Sequence, residues 1–240
     1  MRSTFLIMRR ELAAYLRTMS GYVIAAIFLL AVGLLFNVMA VPGEKLSSQV
    51  LSDFFFWTSG VVVVASVFIT MRLFAEERQT GTLVLLASSP VHDWEIVVGK
   101  FLAALLFMAL MLVPTVVSPL LIFINGKISF GHMAAGYIGL VLIGSASLAI
   151  GTFGSALART QVLAAIFSGV MCLSMVLAWM LAKVTEAPIN DMFTALALHG
   201  RHFPPFQAGT IHLRDVGYYL MVTYVALFSA IRVMEARRWR

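Results

Sequence analysis

The chain has 240 residues, of which 61% are hydrophobic and only 12% are charged, and its formal net charge is +6. Soluble globular domains carry roughly twice that share of charged residues, so the composition excludes a soluble domain, a disordered chain and a nucleic-acid-binding module. Outer-membrane barrels are excluded because their strands alternate apolar with polar residues. A membrane-spanning helix takes about 20 residues, so a polytopic helical membrane protein of at most six or seven spans remains, with no room for a second soluble domain.

The first nineteen residues predict an amphipathic helix that lies in the membrane interface. Phe5, Met8, Leu12 and Tyr15 recur at spacings of three and four, which places them on one helix face. The opposite face would carry Arg2, Arg9, Arg10 and Arg17. The alternative interpretation is an ordinary charged N-terminus.

Six charge-free runs predict six transmembrane helices within a single transmembrane domain covering residues 1–240. Each run is long enough to span a bilayer with some tilt. The runs are about 20–41, 54–71, 101–124, 133–156, 162–182 and 216–231.

The distribution of lysine and arginine predicts that both termini lie in the cytoplasm. Segments on that side would hold twelve of these residues and segments on the other side five, out of the 17 in the chain. The connection 72–100 is then a cytoplasmic loop, and the connection 183–215 is external.

Two spans carry residues that predict their packing. Ser147, Gly151 and Ser155 repeat at a spacing of four, which allows close approach of another helix. Pro114 and Pro119 predict a bend or unwinding in the outer half of the third span.

The absence of certain residue types and motifs from the sequence also constrains the function. The middle of each predicted span lacks Asp, Glu, Lys and Arg, which disfavours ion-coupled transport. The chain has no phosphate-binding loop of the form GxxxxGK[ST], since Gly99-Lys100 is followed by Phe101 and lacks the upstream glycine. The lone cysteine, Cys172, excludes an intrachain disulfide and a cysteine-based metal site. Energy for driven work would therefore enter through another chain.

The loop 72–100 has a distinctive order of predicted short helices and breaks. A short charged helix is predicted over 72–79, followed by a break at 80–82. Thr82 can cap a second short helix over 83–86, and Ser89 with Pro90 can begin the helix that leads into the third span. A short helix held between two spans can transmit force from a soluble partner, but composition alone fits a plain re-entrant loop equally well.

This loop resembles the first cytoplasmic loop of ABC-2 type transporter permeases. The superfamily pattern E-x-x-x-G-T-x-x-x-L-x-x-S-P-V is matched by Glu77, Gly81, Thr82, Leu86, Ser89, Pro90 and Val91. The last external segment, last span and basic tail are most similar to the gliding-motility, GldF-like branch. The residues that carry this second likeness are Gly209, Arg214, Asp215, Val216, Arg237, Arg238 and Trp239.

The resemblance implies a non-catalytic permease subunit in the inner membrane of a bacterium. Such permeases pair as dimers, and each copy docks on a separate cytoplasmic ATPase subunit, which binds ATP and Mg²⁺, so this chain itself would hold no cofactor. The implied docking residues are Glu76, Glu77, Arg78, Thr80, Gly81, Thr82 and Leu83. The N-terminal helix would be a second contact.

The resemblance also implies an accessory membrane subunit with a large periplasmic region, and either export or force transmission to periplasmic partners. The basic tail, which ends in Trp239 and Arg240, predicts an anchor on the lipid bilayer. Rival functions are a membrane scaffold without translocation, a secondary carrier or channel, and an exporter of the cytochrome-maturation type. No substrate-binding residue is predicted.

The external segment 183–215 contains predicted short helices, which the resemblance places as re-entrant helices in the outer leaflet. Residues 192–198 would form one of them, capped by Asn190 or Asp191. Pro204-Pro205 would break the chain, and Gly209 would permit a tight turn. The expected position of His199, His202 and His212 is the surface or the interface, since no carboxylate or cysteine at a suitable spacing completes a metal site.

Overall fold

The structure is a computed structural model that describes residues 2–40, 46–81, 91–125, 129–186 and 189–238. All regular secondary structure in these ranges is helical. The helices are α1 (Arg2–Arg17), α2 (Met19–Ala40), α3 (Ser47–Thr70), α4 (Ala75–Gln79), α5 (Asp93–Thr115), α6 (Val117–Asn125), α7 (Phe130–Leu157), α8 (Gln161–Val184), α9 (Ile189–Leu196), α10 (Pro204–Gln207) and α11 (Leu213–Arg238).

Six segments are long and apolar enough to cross a membrane, which confirms the predicted all-helical fold with six spans. Several helices begin earlier than the charge-free runs: α3 at Ser47, α5 at Asp93 and α11 at Leu213. Each of these predicted runs starts after a charged residue. The helices begin before that residue because their hydrogen bonds join backbone groups, whatever the side chain. The six segments are Met19–Val38, Ser47–Gln79, Asp93–Ile122, Phe130–Leu157, Gln161–Val184 and Leu213–Ala236.

Helix α7 is the centre of the bundle and packs against α3, α8 and α11. Every residue in 143–152 is buried. A Cβ atom at Gly151 would overlap the Thr70 hydroxyl, and one at Gly154 would lie 2.9 Å from the Ser168 backbone nitrogen. Ser147 and Ser155 are fully buried on the same helix. The prediction that small residues allow close helix packing here is confirmed.

The third span is interrupted after Pro114, as predicted. Helix α5 ends at Thr115 and α6 begins at Val117, so Val116 separates them. Pro119 lies in the first turn of α6, where a missing backbone N–H leaves no intrahelical bond unmade.

The loop before the third span differs from the prediction. Helix α5 is preceded by His92 as its N-cap residue rather than by Ser89, and the Glu95 carboxylate accepts a hydrogen bond of 3.3 Å from the His92 backbone N–H. The carboxylate satisfies a backbone donor that has no partner within the helix. Ser89, Pro90 and the predicted helix over 83–86 with its cap Thr82 lie outside the described residues.

The external segment also departs from the prediction in two places. Helix α9 begins at Ile189, because the N–H groups of Ile189 and Asn190 donate to the Glu186 carbonyl, so Asn190 and Asp191 are helical residues rather than caps. Pro204 and Pro205 start the short helix α10 instead of only breaking the chain, since proline fits the first helical turn. The turn predicted at Gly209 is confirmed by its φ of +81°.

Candidate functional site

Helix α1, the turns that follow α3, helix α4 and the first part of α5 meet at one end of the bundle around a cavity of about 270 Å³. Helix α4 begins at Ala75 rather than at the predicted residue 72, because 71–74 form turns in which Leu73 and Phe74 are buried. Gly81, with a φ of +73°, ends the helix, as the predicted break requires. Charged residues that line the cavity are Glu11, Arg72, Glu76, Glu77 and Lys100.

Lys100 is the buried cation of this site. Its side chain is 1% exposed, and its Nζ lies 2.9 Å from Glu77 Oε1 and 3.2 Å from Glu11 Oε1. The same Nζ lies 5.4 Å from the centroid of the Phe74 ring. Lys100 belongs to α5, Glu11 to α1 and Glu77 to α4, so one ammonium group joins three helices.

A second cation contacts the same carboxylates from the surface. Arg10 Nη2 lies 2.7 Å from Glu11 Oε1 and 3.3 Å from Glu77 Oε1, with a side chain that is 57% exposed. Burial opposes ionisation of Glu11, but the charge of Lys100 and hydrogen bonds from Arg10 and Lys100 outweigh it. The pKa of Glu11 is therefore held below its ordinary value.

Tyr15 also joins helix α1 to α3 and α5. Its hydroxyl donates a 2.8 Å hydrogen bond to the Ile69 carbonyl, and its ring stacks on Phe107 with centroids 4.9 Å apart. Burial raises the pKa of Tyr15 well above its ordinary value, so the hydroxyl remains a donor. These contacts position the polar residues of α1 beside α4.

The other side of α4 is bound to the end of α7. Arg78 Nη1 donates a 2.5 Å hydrogen bond to the Ala158 carbonyl. The Ser155 hydroxyl accepts a 3.1 Å hydrogen bond from the Phe74 backbone N–H, just before α4. Within the same segment, Arg72 and Glu76 form a bidentate pair with distances of 2.7 and 3.1 Å. Helix α4 is thus fixed between α1 and α5 on one side and α7 on the other.

The predicted docking residues divide into two groups. Glu76, Glu77 and Arg78 are half-buried and contact other parts of this chain, whereas Thr80 and Gly81 are exposed beside Gln79. Thr82 and Leu83 lie outside the described residues.

Sequence reasoning did not identify Lys100 or Glu11 as site residues. Lys100 is separated by 89 residues from Glu11 and by 23 from Glu77, so no local spacing linked them. The available signal was a lysine inside an apolar helix pattern, because such a residue requires an anionic partner.

At the opposite end, two histidines are buried inside the protein, which differs from the predicted position at the surface or the interface. His199 and His202 are each 6% exposed, because the segment around them packs on α3 and α11 with Phe203 and Phe206 in the core. His202 Nδ1 lies 2.8 Å from Oδ1 of the fully buried Asp215. His212 is exposed, as expected.

The contacts of the His202–Asp215 pair are typical of a structural role. The His202 ring stacks on Tyr218 with centroids 3.9 Å apart, and Asp215 is 13 residues away in sequence, which is why no metal-ligand spacing revealed it. His199 contacts the Ser59 hydroxyl of α3, and burial lowers the pKa of His199 to about 4. Within the described part of the chain, no three His, Cys, Asp or Glu residues are arranged to hold a metal ion.

Comparison with protein families gives one match that covers nearly the whole chain. The family model described as ABC-2 family transporter protein matches residues 6–233. Comparison with curated proteins gives no match.

Proposed function

The chain belongs to the ABC-2 transporter family, and from that premise we propose that ATP hydrolysis on a separate nucleotide-binding subunit drives this permease subunit through helix α4. Members of this family are membrane subunits of transporters and work with a partner ATP-binding subunit. The six apolar helices make the chain a multi-pass membrane protein. The partner would bind ATP and Mg²⁺, and this chain would hold neither.

The observation that carries the proposal is the double attachment of α4. Glu77 joins it to α1 and α5 through Lys100, and Arg78 joins it to the end of α7. A displacement of α4 by a docked subunit would therefore be imposed on three other helices. Packed helices respond as units because the interior around them has little free volume.

The exposed end of α4, with Gln79, Thr80 and Gly81, is the proposed docking surface. The resemblance adds Thr82 and Leu83, which lie outside the described residues. In this assignment Glu76, Glu77 and Arg78 fix the docking surface to the rest of the chain and do not themselves contact the ATPase. Helix α1 flanks the surface with Arg10, which is more than half exposed. The N-terminal helix is therefore proposed as the second contact with the ATPase.

The proposed assembly contains two permease copies and two ATPase subunits in the bacterial inner membrane. The predicted segments assigned to the cytoplasm contain twelve of the 17 lysine and arginine residues in the sequence, which supports placing α4 and both termini there. Assignment to the GldF-like branch adds an accessory membrane subunit with a periplasmic region. The assembly would then export a substrate or transmit force to that subunit.

The docking proposal is tested with Thr80→Arg, which adds a bulky charged group to the exposed end of α4. The tagged permease is purified from membranes of its native host. The co-purified ATPase is quantified by mass spectrometry, and ATP hydrolysis is measured on the complex. We expect at least about a tenfold loss of co-purified ATPase, because an unpaired charge buried in the docked contact costs several kcal/mol, and about 1.4 kcal/mol is enough for a factor of ten.

The matched control is Thr210→Arg, which makes the same change at an exposed threonine of the external segment. It should leave co-purification and hydrolysis unchanged. Retention of both by Thr80→Arg, and by Gly81→Val at the positive-φ position, would contradict docking at α4.

A further inference from the structure

We propose that Lys100 is a positioning residue that fixes α1 and α4 to the start of the third span, so that these helices move as one unit. The consequence for transport rests on the proposed function, but the positioning itself rests on the geometry of this chain alone.

The burial of Lys100 requires its two carboxylate partners. A charged ammonium group away from water is stable only when it is paired and hydrogen-bonded. Lys100 is 1% exposed and meets this requirement with Glu11 of α1 and Glu77 of α4. Moving either helix away from α5 would leave a buried charge with one partner, so the pairing resists separation of the two helices.

Lys100 carries this connection better than the other cations nearby. Arg10 reaches the same two carboxylates but is 57% exposed, so water screens its interactions. Arg72 directs its hydrogen bonds to Glu76, four residues away in the same segment. The three carboxylates Glu11, Glu76 and Glu77 are balanced by the three cations Arg10, Arg72 and Lys100.

The residue before Lys100 shows how closely α1 lies on α5. A Cβ atom at Gly99 would be 3.0 Å from the Thr4 carbonyl oxygen and 3.0 Å from Ile7 Cγ2. The backbone of α1 therefore passes directly over the turn that carries Lys100. Small size at Gly99 and charge at Lys100 act together, since the first allows the approach and the second fixes it.

The first test measures amide hydrogen exchange on the purified permease in lipid nanodiscs, without any ATPase. Lys100→Met keeps the length of the side chain but removes its charge. We expect exchange in peptides covering 2–17 and 75–81 to rise by at least about tenfold, because both lose a hydrogen bond to a charged group. Lys100→Arg retains the charge and should restore most of the protection. Unchanged exchange in either peptide of Lys100→Met would overturn the proposal.

A triple variant separates positioning from charge balance. Lys100→Met alone leaves the Glu11 and Glu77 carboxylates sharing only the exposed Arg10 among the described cations that contact both, whereas Glu11→Gln, Glu77→Gln and Lys100→Met together remove the charge of Lys100 and of both its partners. If Lys100 fixes the helices, the triple variant folds but keeps the raised exchange in both peptides. Return of the triple variant to wild-type exchange would show that Lys100 only neutralises its neighbours, and would overturn the proposal.

The matched control is Lys183→Met. Lys183 is a lysine at a helix end that lies 4.4 Å above the Trp179 ring on α8, away from the cavity. It should leave exchange in 2–17 and 75–81 unchanged. An equal rise in those peptides would show that any lost lysine loosens the protein, which would also count against the proposal.

The second readout is coupling. With the ATPase present, the triple variant should lose at least about tenfold in permease-stimulated hydrolysis per molecule of bound ATPase. Full stimulation would contradict a role for the positioning in transport. If the wild-type permease itself co-purifies no ATPase, docking at α4 fails, while the exchange experiment still decides whether Lys100 positions α1 and α4.

Discussion

His199 illustrates how a single buried group can make the stability of the molecule depend on pH. It belongs to the external segment and packs on α3, in contact with the rings of Phe56 and Phe203. Burial disfavours its charged form and lowers its pKa to about 4 from 6.5. The folded state therefore holds His199 neutral over a range in which the unfolded chain takes up a proton.

The sign of the effect follows from this difference. A depressed pKa contributes stability above pH 6.5 that is lost as the pH falls from 6.5 toward 4. Between pH 7.5 and pH 5 we expect the free energy of unfolding to fall by about 2 kcal/mol from this group. Thermal unfolding in detergent measures it. His199→Gln should flatten the decline and His212→Gln, at an exposed position, should not; equal slopes for wild type and His199→Gln would contradict the assignment.

At the scale of elements, the contact between α7 and α8 depends on a glycine. A Cβ atom at Gly154 would lie 2.5 Å from Ser168 Oγ and 2.9 Å from the Ser168 backbone nitrogen. The backbone atom can move only if the helices separate. Gly169, one residue further along α8, has no such neighbour within 4 Å. Of these two helical glycines, only Gly154 is required for packing, so Gly169 serves as its control.

We expect Gly154→Ala to destabilise the protein by roughly 1–3 kcal/mol, the usual cost of overpacking a closely packed contact. Gly169→Ala should instead stabilise it by roughly 0.5–1 kcal/mol, because alanine favours the helix. The melting temperatures of the two variants in the same detergent provide the comparison. A gain of the same size in both would show that helix propensity, rather than contact between α7 and α8, governs this region.

The sequence predicted elements better than it predicted their ends or their buried polar contacts. Periodic small residues such as Gly151 and Ser155 revealed the packing face of α7 because helix geometry repeats every few residues. The limits of α3, α5 and α11 were set too late because a charge was taken as a boundary. The partners of Lys100 and His202 lie far away in the chain, and only the tertiary fold brings them together.

For the whole molecule, the orientation in the membrane remains the prediction with the widest consequences. It places Gln79 in the cytoplasm and Thr210 outside, and both are exposed. With the buried Cys172 replaced by alanine, single cysteines at these positions report the side directly. A membrane-impermeant maleimide should label Thr210→Cys in intact spheroplasts, and Gln79→Cys only after permeabilisation. The reverse pattern would place α4 beyond the reach of a cytoplasmic ATPase.

The enclosure of α7 bears on how a cargo could cross. Over residues 143–152 no side chain of this helix reaches the surface, whereas α2, α8 and α11 expose Ile27, Ile166 and Met221, among others. In the proposed dimer, an exported substrate would therefore pass along the outside of the subunit rather than through its centre. Its maximum width would be set by the gap between the two proposed copies.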